Sequence, residues 1–116
     1  MDNTKENKIS IDEFKRIEMI VGEIQAVEKV ENADRLLKLT VDLGETEPRQ
    51  IISGIAEFFP EYESLRGKKC VFVGNLAPRT IRGLESNGMI LAAHTEEDTF
   101  ALMVPEVDIP AGTRIG

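Results

Sequence analysis

A run of basic residues in an otherwise acidic chain is the feature of this sequence best suited to binding a charged ligand. The 116 residues carry a formal net charge of −7 at pH 7, yet the segment from Ser64 to Leu84 holds five basic residues and no acidic one. These five are Arg66, Lys68, Lys69, Arg79 and Arg82. Removing their charge of +5 leaves −12 on the rest of the chain. Such segregation creates a local positive field that attracts phosphate groups. On charge alone, a solvated cationic surface without a ligand explains the pattern at least as well.

Two of these cations have a spacing suited to phosphate binding. Pro78 restricts the backbone before Arg79, and Arg82 follows three residues later. In a flat strand the two arginines would point to opposite faces, whereas in a curved loop both guanidinium groups reach one ligand. We expect a pair of planar forks for phosphate oxygens. The alternative is a surface loop with two solubilising charges.

Few residues of this chain are suited to catalysis. Ser86 is followed by Asn87-Gly88, which predicts a tight turn, and no catalytic relay is apparent around the single histidine, His94. We therefore expect the Ser86 hydroxyl to stabilise the turn or to donate to a bound phosphate. Cys70 lies in an apolar segment and is expected to act as a small hydrophobic residue. One cysteine and one histidine do not make a typical zinc site, and we predict neither an enzyme nor a cofactor.

The composition indicates one globular domain, because 41% of the residues are hydrophobic and the length is that of a single domain. A lone cysteine excludes an internal disulfide and agrees with a reducing cytoplasm. No apolar run approaches the ~20 residues of a membrane helix, and the polar start MDNTKENKIS lacks the apolar core of a signal peptide. We expect a cytoplasmic protein without membrane contact, with a disordered tail over residues 1–8 and a folded domain over 9–116.

Alternating apolar and polar residues predict a chain built mainly of strands. Ser10 followed by Glu13 is typical of a helix start, so a short N-terminal helix is expected there. A second small helix, ended by Pro60, is predicted between the third and fourth strands. A slip in the alternation after Gly22 predicts a bulge or a bend. The predicted strands cover residues 19–30, 36–43, 49–53, 69–74, 89–93 and 100–104.

This order of elements is that of an OB-fold, an all-β, five-stranded Greek-key barrel, here with a C-terminal extension. Many OB-folds bind oligonucleotides, but others do not, so the fold alone does not settle the function. Aromatic residues make up only 5% of the chain. This argues against a binder of single-stranded nucleic acid, because such binding depends on stacking.

Three long segments closely resemble a known family. They read VGEIQAVEKVENADRLLKLTVDLG, RQIISGIAEFFPE and LRGKKCVFVGNLAPRTIRGLESNGMILAA. Over about residues 12–112 the chain resembles the tRNA-binding domain appended to methionyl-tRNA synthetases, which also occurs as a stand-alone tRNA-binding protein. The SGIA block at 53–56 and the NLAPR block at 75–79, followed by Arg82-Gly83, Ser86 and Gly88-Met89, are specific in combination.

The resemblance implies a non-catalytic OB-fold that binds tRNA mainly by its shape, with the backbone in a basic groove. Carried over by position, its binding motif falls on Asn75, Pro78, Arg79, Arg82, Ser86 and Met89. Further phosphate contacts are expected from Lys68 and Lys69, and from Lys15, Arg35 and Arg49 at the edge of the footprint. Three departures from the family lower the expected tRNA affinity. Ile20 and Thr80 stand where many members have a basic residue, and Val30-Glu31 stand where many have His-Pro.

The resemblance also implies partners other than tRNA. Members related to methionyl-tRNA synthetases resemble homodimers that pair through the N-terminal helix and the C-terminal extension, and a methionyl-tRNA synthetase is itself an expected partner. The apolar residues available for such pairing are Ile9, Ile11, Phe14, Val104, Val107, Ile109 and Ile115. Other relatives are export-associated chaperones, so a peptide-binding or protein-binding interaction module stays open as a second function, and the net charge of −7 agrees with it.

Overall fold

The computed structural model describes residues 7–116 and begins with the helix that the sequence predicts. Helix α1 spans Ile11–Phe14. The Ser10 hydroxyl accepts the backbone N–H of Glu13 at 3.1 Å, and the Glu13 carboxylate accepts the backbone N–H of Ser10 at 2.9 Å. These reciprocal bonds form a capping box, which confirms the predicted helix start. The tail expected over residues 1–8 lies almost entirely outside the described residues.

Between residues 15 and 116 the elements are ten strands and two short 3₁₀ turns. The strands are β1 Met19–Val30, β2 Ala33–Asp42, β3 Arg49–Ser53, β4 Lys69–Val73, β5 Arg79–Ile81, β6 Leu84–Ser86, β7 Met89–Ile90, β8 Ala92–His94, β9 Phe100–Leu102 and β10 Arg114–Ile115. The first 3₁₀ turn, Ala56–Phe58, lies where the sequence predicts a small helix, and the second, Tyr62–Leu65, follows Pro60 and was not predicted. The predicted fifth strand, 89–93, is divided into β7 and β8 at Leu91.

The long strand β1 organises the barrel because it pairs with different strands along its length. The main sheet has the order β3-β2-β1-β4-β7, all antiparallel, and β10 also pairs with β1. The first part of β1 pairs with β4, and the rest, from Glu23, pairs with β2. At the open edges, the Asn87 backbone N–H donates to the Gln50 carbonyl of β3 at 2.9 Å. The result is an all-β, OB-type barrel, as the sequence predicts.

The alternating apolar residues of β1 to β4 form the core. Ile24, Leu37, Leu39, Ile51 and Phe72 are fully buried, which is the inward set of a period-two pattern. Cys70 of β4 is also buried, and burial raises the pKa of its thiol to about 11. Since the thiolate is the reactive form, Cys70 is an inert packing residue.

Of the bulge or bend predicted after Gly22, the bulge is not found at that residue. The register of the β1–β2 pair shifts instead between Ile24 and Ala26 and again at the end of β1. Gly22 pairs regularly with Cys70. A Cβ atom at Gly22 would lie 2.6 Å from Leu43 Cδ2 and 2.8 Å from Phe72 Cδ1. Glycine is therefore required there by close packing, and its lack of a side chain is what interrupts the sequence alternation.

Candidate nucleic-acid interface

The segment Asn75–Ser86, here called the arm, folds into its own two-stranded hairpin between β4 and β7. Strands β5 and β6 pair with Arg79 opposite Ser86 and Ile81 opposite Leu84. Only Arg82 and Gly83 remain in the loop, with φ angles of +53° and +79°. Two consecutive positive φ angles define a type I′ hairpin turn. The sequence predicts a tight turn at 86–88, where the stronger Asn-Gly signal lies, and misses this one.

The two arginines of the arm are exposed. Within residues 7–116, no carboxylate lies at ion-pair distance from the guanidinium of Arg79 or Arg82. Arg82 lies in the turn, so the strict alternation of a strand does not apply to it. Since Arg82 is not glycine, its left-handed backbone conformation is an uncommon one. Arg79 therefore lies on a strand and Arg82 in its turn, and the two line different cavities. That both guanidinium groups reach one ligand stays a prediction.

Three adjoining cavities follow the arm, and each contains at least one arginine. The first, of about 300 Å³, is lined by Arg16 together with Asn75 and Leu76. The second, of about 70 Å³, is lined by Leu76, Arg79 and Ile81 among others. The third, of about 480 Å³, is lined by Ile81, Arg82 and Arg35. Leu76 and Ile81 are each shared by two neighbouring cavities, which gives the order Arg16, Arg79, Arg82 and Arg35. We call Arg16, Arg79, Arg82 and Arg35 the arginine track.

The two ends of the arginine track differ from its centre because carboxylates lie there. Glu13 lines the first cavity and Asp34 lines the third. Arg35 Nε lies 3.8 Å from Glu57 Oε2, with 81% and 56% of the two side chains exposed. An exposed pair of this kind is worth only about 0–1 kcal/mol, so a phosphate group can readily replace Glu57 as the partner of Arg35.

Arg16 is a member of the arginine track that the sequence prediction omits. The predicted cation at this place is its neighbour Lys15, which is exposed at the C-cap of α1. Arg16 lines the first cavity instead, because its backbone carbonyl accepts a 2.6 Å bond from Asn75 Nδ2. The Lys15-Arg16 dipeptide after a short helix was the available signal.

Two polar residues of the predicted motif hold the arm in place. Besides its bond to Arg16, Asn75 accepts the Glu18 backbone N–H through Oδ1 at 2.9 Å. Ser86 is buried, and its Oγ accepts the Ile52 backbone N–H of β3 at 2.9 Å. Of the two roles expected for the Ser86 hydroxyl, the geometry favours the stabilising one. Pro78 and Met89 are exposed, and Met89 lines the second cavity.

The other three cations of the basic run lie apart from the arm; we call Arg66, Lys68 and Lys69 the shoulder. Lys69 Nζ lies 2.8 Å from Asp108 Oδ1, and this bond lowers the pKa of Asp108. Arg66 Nη2 lies 3.0 Å from Glu63 Oε1. Lys68 is exposed.

The shoulder borders a different cavity from those of the arginine track. Lys69 pairs with Glu23 of β1 and lines a cavity with Gly67, Glu106 and Asp108. None of these residues lines the three cavities that follow the arm. The run that is continuous in sequence is therefore divided into two groups in space.

Arg49, an expected phosphate contact, has its guanidinium group engaged within the protein. Nε and Nη2 donate to the two carboxylate oxygens of Glu45 at 2.9 and 2.7 Å. Nη1 donates to the carbonyls of Gly74 and Asn87. The bond to Glu45 raises the pKa of Arg49 and lowers that of Glu45. Four of five N–H donors are thus used, and we leave Arg49 out of the candidate contact surface.

The three departures from the family pattern have different structural settings. Ile20 is 8% exposed and belongs to the core, so a phosphate contact at that position is not available in this conformation. Val30 is half-buried at the end of β1. Thr80 is exposed on β5 opposite Glu85. Only Thr80 lies on the arm.

Two further observations concern the described residues only. None of the helices between residues 7 and 116 is long and apolar enough to cross a membrane. Over the same range, no three His, Cys, Asp or Glu side chains are grouped so as to hold a metal ion.

Comparison with known proteins relates this chain to methionine–tRNA ligases. The methionine–tRNA ligase of Deinococcus radiodurans is 49% identical over 107 residues, which are 92% of this chain and 15% of the ligase. That of Methanospirillum hungatei is 49% identical over 111 residues, 96% of this chain and 16% of the ligase. The chain thus spans about one sixth of the length of these relatives.

Solved structures show the same fold. The MetRS-related protein from Pyrococcus horikoshii has a TM-score of 0.86 and 39% identity, covering 94% of this chain and 98% of that one. The chaperone CsaA from Bacillus anthracis has a TM-score of 0.81 at 24% identity, covering 94% and 99%, which is a likeness of fold alone. Residues 19–114 match the sequence model of the family described as "Putative tRNA binding domain". The chain therefore belongs to the tRNA-binding domain family that occurs in methionine–tRNA ligases.

Proposed function

We propose that this domain binds folded tRNA without catalysing a reaction, and that the arginine track contacts the sugar–phosphate backbone. One observation carries the proposal: Arg79 and Arg82, which have no ion pair among the described residues, line two cavities that share Ile81, and each of the two outer cavities contains a further arginine or borders one. In a chain of net charge −7, such a set of cavities is the natural place for an anionic polymer.

The same geometry supports recognition of tRNA by shape. Guanidinium contacts to phosphates fix position and orientation but carry no base sequence. Folded RNA presents phosphates and ribose hydroxyls in a fixed arrangement, which a shaped cationic surface can select. The paired aromatic rings Phe58 and Phe100 stack on each other at 4.2 Å, and neither lines the arginine track. Stacking on loose bases is therefore not part of the proposal.

A non-catalytic role agrees with the reactive groups near the track. The Ser86 hydroxyl is buried and bonded to the barrel. The single histidine, His94, bonds to Asp98 at 3.1 Å and packs edge-on against Phe58. His94 does not line any of the three cavities, so it is not placed to act as a base beside a bound RNA.

The test is a filter-binding titration of total tRNA over a range of salt concentrations. Four backbone contacts predict a slope of log K against log salt of roughly −3 to −4. The double variant Arg79→Ala/Arg82→Ala should reduce that slope by about 1.5–2 and weaken all tRNAs alike. Arg66→Ala is the matched control, since Arg66 belongs to the same run but is paired with Glu63. A wild-type slope near zero, or loss confined to one tRNA, would contradict the proposal.

We also propose that two copies of the chain pair through their apolar ends. Ile11 of α1 and Val107 of the C-terminal segment are 65% and 68% exposed, and exposed apolar patches mark protein interfaces. Strand β10 pairs with the start of β1, which α1 precedes, so the two ends lie at one side of the barrel. Val107→Asp should shift the mass in sedimentation equilibrium from dimer to monomer, whereas Val30→Asp should not. A monomeric wild-type chain would refute the pairing.

Competition between unfolded peptide and tRNA distinguishes tRNA binding from the alternative function, a chaperone-like module that binds peptides. If the exposed apolar ends bind unfolded peptide, then peptide should bind the Arg79→Ala/Arg82→Ala variant normally and should not be displaced by tRNA. If tRNA is the ligand, bulk tRNA should bind in the presence of excess peptide.

We further propose a methionyl-tRNA synthetase catalytic chain as partner, on the strength of the ligase relatives, and a cytoplasmic location, on the strength of the lone cysteine.

A further inference from the structure

We propose that Arg49 is a positioning residue that clasps the base of the arm and so sets the spacing of the arginines that meet RNA. The inference rests on the proposed tRNA-binding function. Gly74 and Asn87 immediately flank the arm, and Arg49 Nη1 donates to both of their carbonyl oxygens, at 3.2 Å for Asn87. One nitrogen atom thus joins the two ends of the segment that carries Arg79 and Arg82.

Glu45 fixes the orientation of this clasp. Its two carboxylate oxygens occupy Nε and Nη2 in a bidentate pair at 2.9 and 2.7 Å, which leaves Nη1 directed at the two carbonyls. The planar guanidinium makes this division of donors possible, and a lysine ammonium has no such geometry. With only 25% of its side chain exposed, Arg49 is held more tightly than the exposed arginines of the track.

Neighbouring bonds from β3 act in the same direction. Gln50 Nε2 donates to the Glu85 carbonyl of the arm at 3.0 Å, and the Gln50 carbonyl accepts the Asn87 N–H at 2.9 Å. These bonds hold one side of the hairpin, whereas Arg49 is the side chain that also reaches Gly74 on the other side. Without the clasp, the N-terminal half of the arm would be tied mainly through Asn75.

Loss of the clasp should therefore weaken RNA binding without removing a phosphate contact. A looser arm must be ordered on binding, and that entropy reduces the affinity. The number of phosphates neutralised stays the same, so the salt slope stays the same. A direct phosphate contact by Arg49 would behave differently, because its loss would reduce the slope by about 1.

The experiment compares Glu45→Gln and Arg49→Gln with the wild-type chain. The second variant also removes the charge of Arg49, so the loss of a direct phosphate contact would appear as a smaller salt slope. Glu63→Gln is the matched control, because it removes the carboxylate from the surface pair with Arg66, away from the arm. Hydrogen exchange of the arm amides in the RNA-free protein should accelerate about tenfold in both variants. It should stay unchanged in the control. The tRNA affinity of both variants should fall about three- to tenfold at an unchanged salt slope.

The two variants also distinguish the clasp from a hidden phosphate contact by the sign of the effect. If Arg49 met RNA, Glu45→Gln would remove a competing carboxylate and raise the affinity, and this result would overturn the inference. Unchanged arm exchange in both variants would overturn it as well. Because exchange is measured without RNA, the clasp is tested even if the wild-type chain does not bind tRNA. Failure of the wild-type chain to bind tRNA would refute the proposed function, whereas unchanged arm exchange would refute only the clasp.

Discussion

The arm and the shoulder are two halves of one basic run, and their cations have different partners. On the arm, Arg79 and Arg82 have no carboxylate at ion-pair distance among residues 7–116. On the shoulder, Arg66 is paired with Glu63 and Lys69 with Asp108, and only Lys68 has no carboxylate at ion-pair distance among the described residues. A stretch without acids in the sequence can therefore have acids beside it in the folded chain. Which cations are available to a ligand depends on the segments that the fold places next to them.

The carboxylates of the shoulder disfavour phosphate in two ways. Each one neutralises a cation, and each repels an approaching anion through the same Coulomb interaction. Glu106 and Asp108 line the same cavity as Lys69, so two acids face one cation there. On the arginine track, Glu13 and Asp34 line the two outer cavities, whereas no acidic residue lines the cavity of Arg79. If the domain binds RNA as proposed, that cavity is the most favourable place for a phosphate group.

Removing two cations from each half in turn tests this difference directly, and the arm variant has the largest expected effect on tRNA affinity. Arg79→Ala/Arg82→Ala should reduce tRNA affinity about 10²-fold, since a charge-assisted hydrogen bond is worth about 1.5–3 kcal/mol and 1.4 kcal/mol is tenfold. Lys68→Ala/Lys69→Ala removes the same charge and should cost no more than about threefold. Gel-shift titrations at one salt concentration measure both. Equal losses would show that the two halves form one surface.

The fold is largely predictable from this sequence because local patterns and tertiary packing agree. The capping box at Ser10, strand β3 and the apolar run of β4 appear at the predicted positions. The failures occur where tertiary contacts decide. Gly22 interrupts the alternation because Leu43 and Phe72 leave no space for a Cβ, and neither residue is its neighbour in sequence.

The site is less predictable than the fold because the chemistry of a side chain depends on distant partners. Arg49 and Arg82 are the same residue type, yet Arg49 is bonded to Glu45 and to two carbonyls, whereas Arg82 lies in an open hairpin turn. Asn75 belongs to the resembling motif, but its amide joins the arm to the chain before β1. Residue type and spacing identified the segment. Which of its residues are available to a ligand required the three-dimensional structure.

Neutralising one acid near each half gives a smaller effect of the opposite sign. Asp34→Asn removes a carboxylate from the cavity of Arg35 and Arg82 and should raise tRNA affinity about threefold, as expected for one charge acting through largely aqueous surroundings. Asp108→Asn releases Lys69 and should leave the affinity unchanged if the shoulder does not meet RNA. Gel-shift titrations of both variants at low salt, where such effects are largest, provide the measurement.

The variants Asp34→Asn and Asp108→Asn should be compared at pH 7 because of the Lys69–Asp108 ion pair. The Lys69 ammonium lowers the pKa of Asp108 below its ordinary 3.8, so the pair is complete at neutral pH and opens only as the pH falls through that lowered value. At pH 7 the Asp108→Asn variant therefore differs from the wild type by a fully ionised carboxylate. A rise in tRNA affinity equal to that of Asp34→Asn would mean that Lys69, once released, binds phosphate as well as the arm does. The difference between the two halves would then lie only in the acids that cover one of them.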